Sequence, residues 1–373
     1  MGEKNKIMDI LKEFLWALKR NRTYQFTALG IIVALIVISG GILWAVNSDK
    51  KPVETVNFNA QNDQIVEDFL DQEQLPRFLD GLQVARGQEN YYPVAIMIEN
   101  LVSTRPQYGL SKAQLVYEAL AEGGITRFLA VYTTADNLKE IGPVRSARPY
   151  FVDWADELSS MFVHAGGSPE ALKQIPSTDI IDLNQIAGDH AFFWRHKDFA
   201  APHNLFTSTQ LITLAQRDKQ VAEQGTYQPW LFKSETPLEE RPIEEKNITI
   251  DFSTFSYKVE YHYDRDPNDY RRSNGGEEHK DQATGEQIRV KNIVIQKVQT
   301  SLLESGSNRL KMVTSGQGDA IIFRDGRAVE GTWKKNKDNE RTRFYDTEAK
   351  EIEFNAGSTW VEVVPTDREI VYN

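Results

Sequence analysis

Met161-Phe-Val-His-Ala-Gly-Gly-Ser-Pro169 combines the signals of a strand, a turn and a helix start within nine residues. The apolar run at its beginning favours a short buried strand, and Gly166-Gly167 allow a tight turn. Ser168 before Pro169 is typical of a helix N-terminus. Free backbone N–H groups at such a turn can bind an anion. The stretch predicts an α/β unit with an anion site, although a plain turn capped by Ser168 explains the same residues.

The flanking residues continue this alternation of strands and helices. Apolar runs at 92–98 and 128–133 favour two more strands. A helix is predicted from Leu110 to just before Gly123, and the other predicted helices are 150–160, 169–175 and 209–223. Strands that alternate with helices indicate a mixed α/β domain, which we place at 86–230.

The C-terminal third has a different pattern. A charged, proline-punctuated linker is predicted at 231–247, and beyond it Val259, Tyr261 and Tyr263 alternate as in a half-buried strand. Asp325-Gly326 between two apolar runs indicates a hairpin turn. Residues 248–373 are therefore expected to form a mainly antiparallel β-rich domain.

The N-terminal region predicts a membrane anchor. Residues 26–46 are uncharged and apolar, and about 20 such residues cross a bilayer as a helix. Six basic residues precede this segment and two follow it closely, which favours a cytoplasmic N-terminus. A cleaved signal peptide is the alternative. The expected order is a cytoplasmic segment at 1–25, a single transmembrane helix at 26–46, a stalk at 47–85, and extracytoplasmic domains beyond.

Composition restricts the possible chemistry. The 373 residues contain no cysteine, which excludes disulfides, thiolate catalysis and a lipid-modified cysteine on these residues. The formal net charge is −11, and an acidic chain repels nucleic acid. No nucleic-acid partner is therefore expected, and any anionic ligand must be held by a local basic pocket.

Arg145 and Arg148 are the strongest candidates for such a pocket. They lie between Pro143 and Pro149, so a stiff turn could direct both guanidinium groups at one phosphate or carboxylate. Ordinary ion pairs with nearby acidic residues are the alternative. The predicted ligand-binding residues are Arg127, Arg145, Arg148, Gly166, Gly167, Ser168, Arg195 and Asn204.

Two histidines and one glutamate are the candidates for acid–base chemistry. His164 ends an apolar strand and His203 follows a proline; together with Asp153, Glu118 or Glu122 they could supply a general acid or base, and Glu122 is the carboxylate selected as the candidate. Structural roles for both histidines are the alternative. No residue spacing matches a zinc or calcium site, so neither a metal nor another cofactor is predicted.

Several longer phrases carry a family resemblance. They are Pro93-Val-Ala-Ile-Met-Ile-Glu-Asn100, Glu122-Gly-Gly-Ile-Thr-Arg-Phe128, Ile141-Gly-Pro-Val-Arg-Ser-Ala-Arg-Pro-Tyr150, His164-Ala-Gly-Gly-Ser-Pro169 and Ala201-Pro-His-Asn-Leu205. These phrases resemble the YerB-like family of bacterial envelope proteins, a domain family of unknown function. The resemblance covers about 80–370 and implies a two-domain architecture and an envelope location, but no established activity. Family members are commonly lipoproteins.

Three functions are compatible with these observations. The first is binding of an anionic cell-wall or glycan-like ligand through an Arg/His/Gly-rich cleft. The second is a transferase or hydrolase that acts on a phosphodiester or glycan, with His164 or His203 as acid or base. The third is a non-catalytic envelope scaffold that binds a protein partner.

Overall fold

The computed structural model of the chain describes residues 74–133, 137–304 and 308–373. These residues form many short strands and three short α-helices. The strands are β1 (Gln74–Pro76), β2 (Gln83–Ala85), β3 (Val94–Glu99), β4 (Leu115–Leu120), β5 (Thr126–Tyr132), β6 (Met161–His164), β7 (Ile181–Asn184), β8 (Trp194–Arg195), β9 (Leu205–Phe206), β10 (Leu231–Lys233), β11 (Asn247–Asp251), β12 (Lys258–Asp264), β13 (Asp269–Asn274), β14 (Glu277–Glu278), β15 (Arg289–Val290), β16 (Asn292–Val298), β17 (Thr300–Leu302), β18 (Leu310–Met312), β19 (Gly316–Arg324), β20 (Arg327–Lys335), β21 (Arg343–Asp346), β22 (Glu353–Asn355), β23 (Thr359–Pro365) and β24 (Ile370–Tyr372). The helices are α1 (Pro149–Asp156), α2 (Pro169–Gln174) and α3 (Thr209–Asp218).

A ten-stranded mixed sheet is the largest element of the fold. Its strand order is β21-β20-β19-β16-β23-β4-β5-β3-β6-β7. Strands from the two halves of the chain meet where β23 pairs in parallel with β4, from Thr359 beside Leu115 to Val363 beside Ala119. The central strands β3, β4 and β5 are buried along their whole length, so this sheet forms much of the hydrophobic core.

The predicted fold class is therefore wrong. Instead of an α/β domain followed by a separate β-rich domain, the described residues form a β-rich fold in which one sheet uses strands from both halves. The physical reason is burial on both faces. In strands as buried as β4 and β23, the backbone N–H and C=O groups along both edges need hydrogen-bond partners within the sheet. Each of these two strands supplies one such edge for the other.

The helix predicted from Leu110 to Gly123 is also wrong, because this segment contains strand β4. Every residue from Leu115 to Leu120 is buried. A continuous apolar run of this length does not distinguish a doubly buried strand from a buried helix. Here the pairing with β5 and β23 determines the outcome.

Other local predictions are confirmed. Strand β6 covers 161–164 and α2 begins directly after Ser168. Asp325 and Gly326 connect the antiparallel strands β19 and β20, both with positive φ, as a two-residue hairpin requires.

A second, antiparallel sheet has the order β14-β13-β12-β11-β24, with β15 also paired to β13. Its strands β12 and β13 alternate between buried and partly exposed residues, as expected for a sheet with one face on a core.

No helix within the three described ranges is long and apolar enough to cross a membrane. The transmembrane helix predicted at 26–46 and the cytoplasmic segment at 1–25 lie outside the described residues. Residues 47–73 of the predicted stalk at 47–85 also lie outside the described residues. The rest of the predicted stalk contains β1 and β2, which pair antiparallel.

Candidate functional site

The carboxyl ends of β3 and β6 position the predicted arginines. These two parallel strands pair only as far as Ile96 beside Val163. Beyond that point the segment 143–147 lies between them. The Arg145 N–H donates to the Met97 carbonyl at 2.9 Å, and the Ala147 N–H donates to the Gly166 carbonyl at 2.9 Å. The segment that carries the arginines is thus fixed by backbone hydrogen bonds to β3 and to the turn that follows β6.

Glu99 is the centre of one group of contacts at this edge. The Arg145 Nε lies 3.1 Å from Glu99 Oε1, at ion-pair distance, and the His203 Nδ1 lies 2.7 Å from Glu99 Oε2. The Glu99 side chain is only 6% exposed, whereas that of Arg145 is 21% and that of His203 is 30% exposed. A nearly buried carboxylate therefore orients one guanidinium and one imidazole that both reach solvent.

Glu122 is the centre of a second group beside the first. Arg148 donates to both carboxylate oxygens of Glu122, and Arg127 Nη2 lies 3.9 Å from Glu122 Oε2. Arg127 also donates to the Ser146 carbonyl at 2.8 Å, which links it to the segment that carries Arg145. We call the six residues Glu99, Glu122, Arg127, Arg145, Arg148 and His203 the cationic cluster.

The pKa values in the cluster follow from its burial and charge. Burial and then the charge of Arg148 lower the pKa of Arg127 to about 10. Burial disfavours the ionised form of Glu122, but hydrogen bonds from Arg148 and the charges of Arg148 and Arg127 outweigh it and hold the pKa of Glu122 below its ordinary value. Three guanidinium groups face two carboxylates, so the cluster carries one formal positive charge in excess before His203 is counted.

The glycine turn next to the cluster is hydrogen-bonded within the protein. The Gly166 N–H donates to Asn184 Oδ1 at 2.9 Å, and the Ser168 N–H donates to the Ala147 carbonyl at 3.2 Å. The Ser168 hydroxyl accepts from the Ala171 N–H at 3.3 Å, as an N-cap does. Gly167 lies beside Ala147 in a parallel bridge. The turn therefore supports the arginine segment through these bonds.

His164 has a different environment from His203. It is fully buried, with Nδ1 2.7 Å from the Gly166 carbonyl oxygen and Nε2 2.7 Å from Asp182 Oδ1. Both ring nitrogens thus have protein partners. Of the two predicted histidines, His203 is the one that the structure places in the cationic cluster.

Arg195 on β8 and Asn204, which directly precedes β9, form a neighbouring pair. The Arg195 Nη1 donates to Asn204 Oδ1 at 2.9 Å, and Arg195 is exposed. Asn204 directly follows His203, so the pair extends the polar surface of the cluster.

Sequence reasoning missed Glu99 as a site residue. The available signal was a single carboxylate at the end of the apolar run Val94–Ile98, since an acidic residue at the carboxyl end of a buried strand lies at an edge where ligands commonly bind.

Sequence reasoning also missed a buried ionic network. Arg272 forms an ion pair with Glu118, and its Nε lies 3.7 Å from Glu362 Oε1; all three side chains are 0% exposed. Tyr261 donates to Glu362, and the Arg272 guanidinium lies 4.5 Å from the centre of the Trp360 ring. The network joins β4 and β23 of the large sheet to β12 and β13 of the second sheet. It has no exposed side chain to offer a ligand, so its role is to hold the sheets together.

Within the described ranges, no group of three or more His, Cys, Asp or Glu side chains is arranged to hold a metal ion. The fold and the cluster together define a β-rich protein whose large sheet presents a partly exposed arginine, glutamate and histidine cluster at the carboxyl ends of β3 and β6.

Comparison with known proteins shows the family to which this chain belongs. Residues 79–222 match the N-terminal domain, and residues 248–361 the C-terminal domain, of a protein of unknown function (DUF3048). The chain is 35% identical over 291 residues to "Putative lipoprotein YerB" of Bacillus subtilis (strain 168), which covers 77% of this chain and 85% of that protein. A crystal structure of YerB from Bacillus subtilis matches with a TM-score of 0.71 at 33% identity, over 80% of this chain and 100% of that one. The chain belongs to the YerB-like family.

Proposed function

We propose that this chain is an extracytoplasmic envelope protein that binds an anionic cell-wall or glycan-like ligand at the cationic cluster. The observation that carries the proposal is a group of three arginines, of which Arg145 and Arg148 are partly exposed, on a chain whose net charge is −11. A local positive charge on an acidic surface favours an anionic ligand at that place.

Arg145 is the residue best placed to contact the ligand. Arg148 already uses Nε and Nη2 on Glu122 and Nη1 on the Ala147 carbonyl. Arg145 faces Glu99 through Nε and reaches the Pro202 carbonyl only at 3.5 Å through Nη1. A guanidinium has five N–H donors, so Arg145 keeps donors for a phosphate or carboxylate.

The proposed location rests on the relative. The Bacillus subtilis protein is named as a lipoprotein, which supports an extracytoplasmic place at the envelope for this chain also. A lipoprotein carries its lipid on a cysteine, and these 373 residues contain none. The proposal therefore concerns the compartment and not a lipid anchor.

Binding to a defined polyanion tests the proposal. The full chain is titrated with polyglycerol phosphate, and neutral dextran serves as the uncharged comparison. We expect Arg145→Ala to weaken polyglycerol phosphate binding by about tenfold or more, because a hydrogen bond to a charged group is worth roughly 1.5–3 kcal/mol. Arg289→Ala is the matched control, since Arg289 is an ion-paired, 38% exposed arginine on β15, outside the cluster. Equal loss in both variants, or no binding by the wild type, would contradict the proposal.

One observation favours an enzyme as the second candidate. His203 is partly exposed and is held by Glu99 at 2.7 Å, the arrangement in which a carboxylate orients a general base. With Arg145 beside it to stabilise developing negative charge, this pair suits a transferase or hydrolase of a phosphodiester or glycan.

Turnover separates the two candidates. If the protein is an enzyme, His203→Ala lowers product release from polyglycerol phosphate or an isolated wall glycan by about 100-fold or more, with binding within about twofold of the wild type. Mass spectrometry of the polymer after incubation measures the product. An intact polymer with the wild-type protein leaves binding as the function. Capture of a protein partner without any binding of polymer would instead favour a scaffold.

A further inference from the structure

His203 has one ring nitrogen that is held by the protein and one that is open to a ligand. Its Nδ1 lies 2.7 Å from Glu99 Oε2, while the other oxygen of Glu99 faces Arg145. Its Nε2 has no hydrogen-bond partner among the described residues, and it is not buried. Because 30% of the side chain is exposed, a ligand at the cationic cluster can reach Nε2.

Glu99 determines which nitrogen carries the proton when His203 is neutral. A carboxylate that pairs with Arg145 only accepts hydrogen bonds, so Nδ1 must be the donor to it. A neutral imidazole has a single N–H, and the other nitrogen is then an acceptor. Neutral His203 therefore presents a lone pair, and not an N–H, at its exposed nitrogen.

An anionic ligand needs a donor at this position. The oxygens of a phosphodiester or a carboxylate are acceptors, so they form no hydrogen bond with a second acceptor. Protonation converts Nε2 into a donor and adds one positive charge to the cluster, while Nδ1 keeps its bond to Glu99. Imidazole side chains change charge between about pH 5 and 8, so this conversion belongs to the range around neutral pH.

The neighbours of His203 leave the change of charge to its own imidazole. Within the described residues, the charged side chains next to it are Glu99 on β3, Arg145 on the segment before α1, and Arg195 on β8, which bonds to the adjacent Asn204. Glutamate and arginine do not ordinarily titrate between about pH 5 and 8. The same loop carries Lys197, Asp198 and His196, and the imidazole of His196 faces Glu140 and Asp198 instead.

We propose that the cationic cluster binds its anionic ligand together with a proton on Nε2 of His203, so that affinity for a phosphate polymer rises as the pH falls. The inference deepens the function proposed for the cluster and rests on it. For the enzyme candidate the same geometry gives the opposite dependence, because a general base must have Nε2 unprotonated.

Affinity at two pH values tests this coupling. The full chain is titrated with polyglycerol phosphate at about pH 5.5 and about pH 8 at one ionic strength. The phosphodiesters are ionised at both, so a change belongs to the protein. We expect binding to be about tenfold tighter at the lower pH, because a charge-assisted hydrogen bond replaces a contact between two acceptors. His203→Gln has no titrating side chain here and should reduce this ratio to about twofold or less.

His262→Gln is the matched control. His262 is 34% exposed and lies 3.5 Å from Glu245 and 3.9 Å from Asp264, but it belongs to β12, outside the cluster. This variant should keep the pH dependence of the wild type. An unchanged pH dependence in His203→Gln, or its loss in His262→Gln, would overturn the proposal.

The two proposals fail in different ways. Binding that is weakened by Arg145→Ala but has the same affinity at both pH values would overturn the coupling alone. Absence of binding at both pH values, or binding that Arg145→Ala leaves unchanged, would overturn the function proposed for the cluster as well.

NMR of the full chain labelled with nitrogen-15 histidine tests the tautomer without a ligand. At about pH 8, Nδ1 of His203 should carry the proton and Nε2 should be unprotonated. A proton on Nε2 at this pH would contradict the proposal, since the neutral ring could then donate to an anion without taking up a proton.

Discussion

Glu99 connects the two groups in the cationic cluster that are most accessible to a ligand. One of its oxygens faces Arg145 and the other faces His203, and its own side chain is nearly buried. Because a buried carboxylate has little freedom, the guanidinium and the imidazole have defined positions relative to each other. Fixed relative positions of this kind, which independent surface arginines lack, are what a binding site or an active site requires.

The pair Glu122 and Arg148 predicts a pH-dependent contribution to stability. The pKa of Glu122 in the folded protein lies below its ordinary value, so ionised Glu122 stabilises the fold. This stabilisation is complete above the ordinary pKa of about 4.3 and is lost as the pH falls through the pKa of the folded state. Glu122→Gln should cost about 1 kcal/mol at pH 7, and the difference from the wild type should shrink below about pH 4.

Thermal unfolding from pH 7 to pH 3 measures this difference. Glu278→Gln is the control, because Glu278 is paired with Lys280 at 3.0 Å but is 56% exposed. We expect this variant to unfold like the wild type at every pH. A loss of stability in Glu122→Gln that stays constant down to pH 3 would show that the ion pair is not its source.

At the scale of the elements, the buried network around Arg272 joins four strands. One guanidinium faces two carboxyl groups, so charge balance in this buried site favours one carboxylate and one neutral carboxyl. Burial and then the charge of Glu118 raise the pKa of Glu362 well above its ordinary value, which identifies Glu362 as the neutral member.

This assignment predicts unequal effects of two similar substitutions. Glu118→Gln removes the counterion of Arg272 and should cost roughly 3–5 kcal/mol, whereas Glu362→Gln replaces a neutral group with a neutral group and should cost less than about 1 kcal/mol. Denaturant unfolding of both variants at pH 7 measures the difference. Equal costs, or a larger cost for Glu362→Gln, would contradict the assignment of charge.

The elements of the fold differ in how far local sequence specifies them. Strand β6, the N-cap Ser168 and the Asp325-Gly326 hairpin follow from local signals such as apolar runs, capping residues and turn residues. Strand β4 does not, because its continuous apolar run also suits a buried helix. The candidate residues Arg145 and Arg148 were recognised from their spacing, but their partners Glu99 and Glu122 lie 46 and 26 residues away along the chain, and only the tertiary structure pairs them.

At the scale of the whole molecule, the parallel pairing of β23 with β4 makes the described residues interdependent. This contact links residues more than 240 positions apart, and no local pattern specifies its register. Near residue 248 the sequence pattern changes from alternating strand and helix signals to strand signals. The largest sheet nevertheless contains strands from both sides of this position.

A fragment tests this interdependence. We expect residues 74–230 alone to lack a stable fold, because β4 would expose an unpaired, apolar edge. The two-dimensional amide NMR spectrum of the fragment should show poor dispersion, and addition of residues 231–373 should restore it. A well-dispersed spectrum of the fragment alone would show that the N-terminal half folds without β23.

The most direct test of the central claim is to locate a bound phosphate polymer. A crystal structure of the full chain with a short glycerol phosphate oligomer should show a phosphate within hydrogen-bond distance of the Arg145 guanidinium and next to His203. The same crystals of Arg145→Ala should lack the oligomer at this position. Oligomer bound elsewhere, or retained at the cluster without Arg145, would contradict the account.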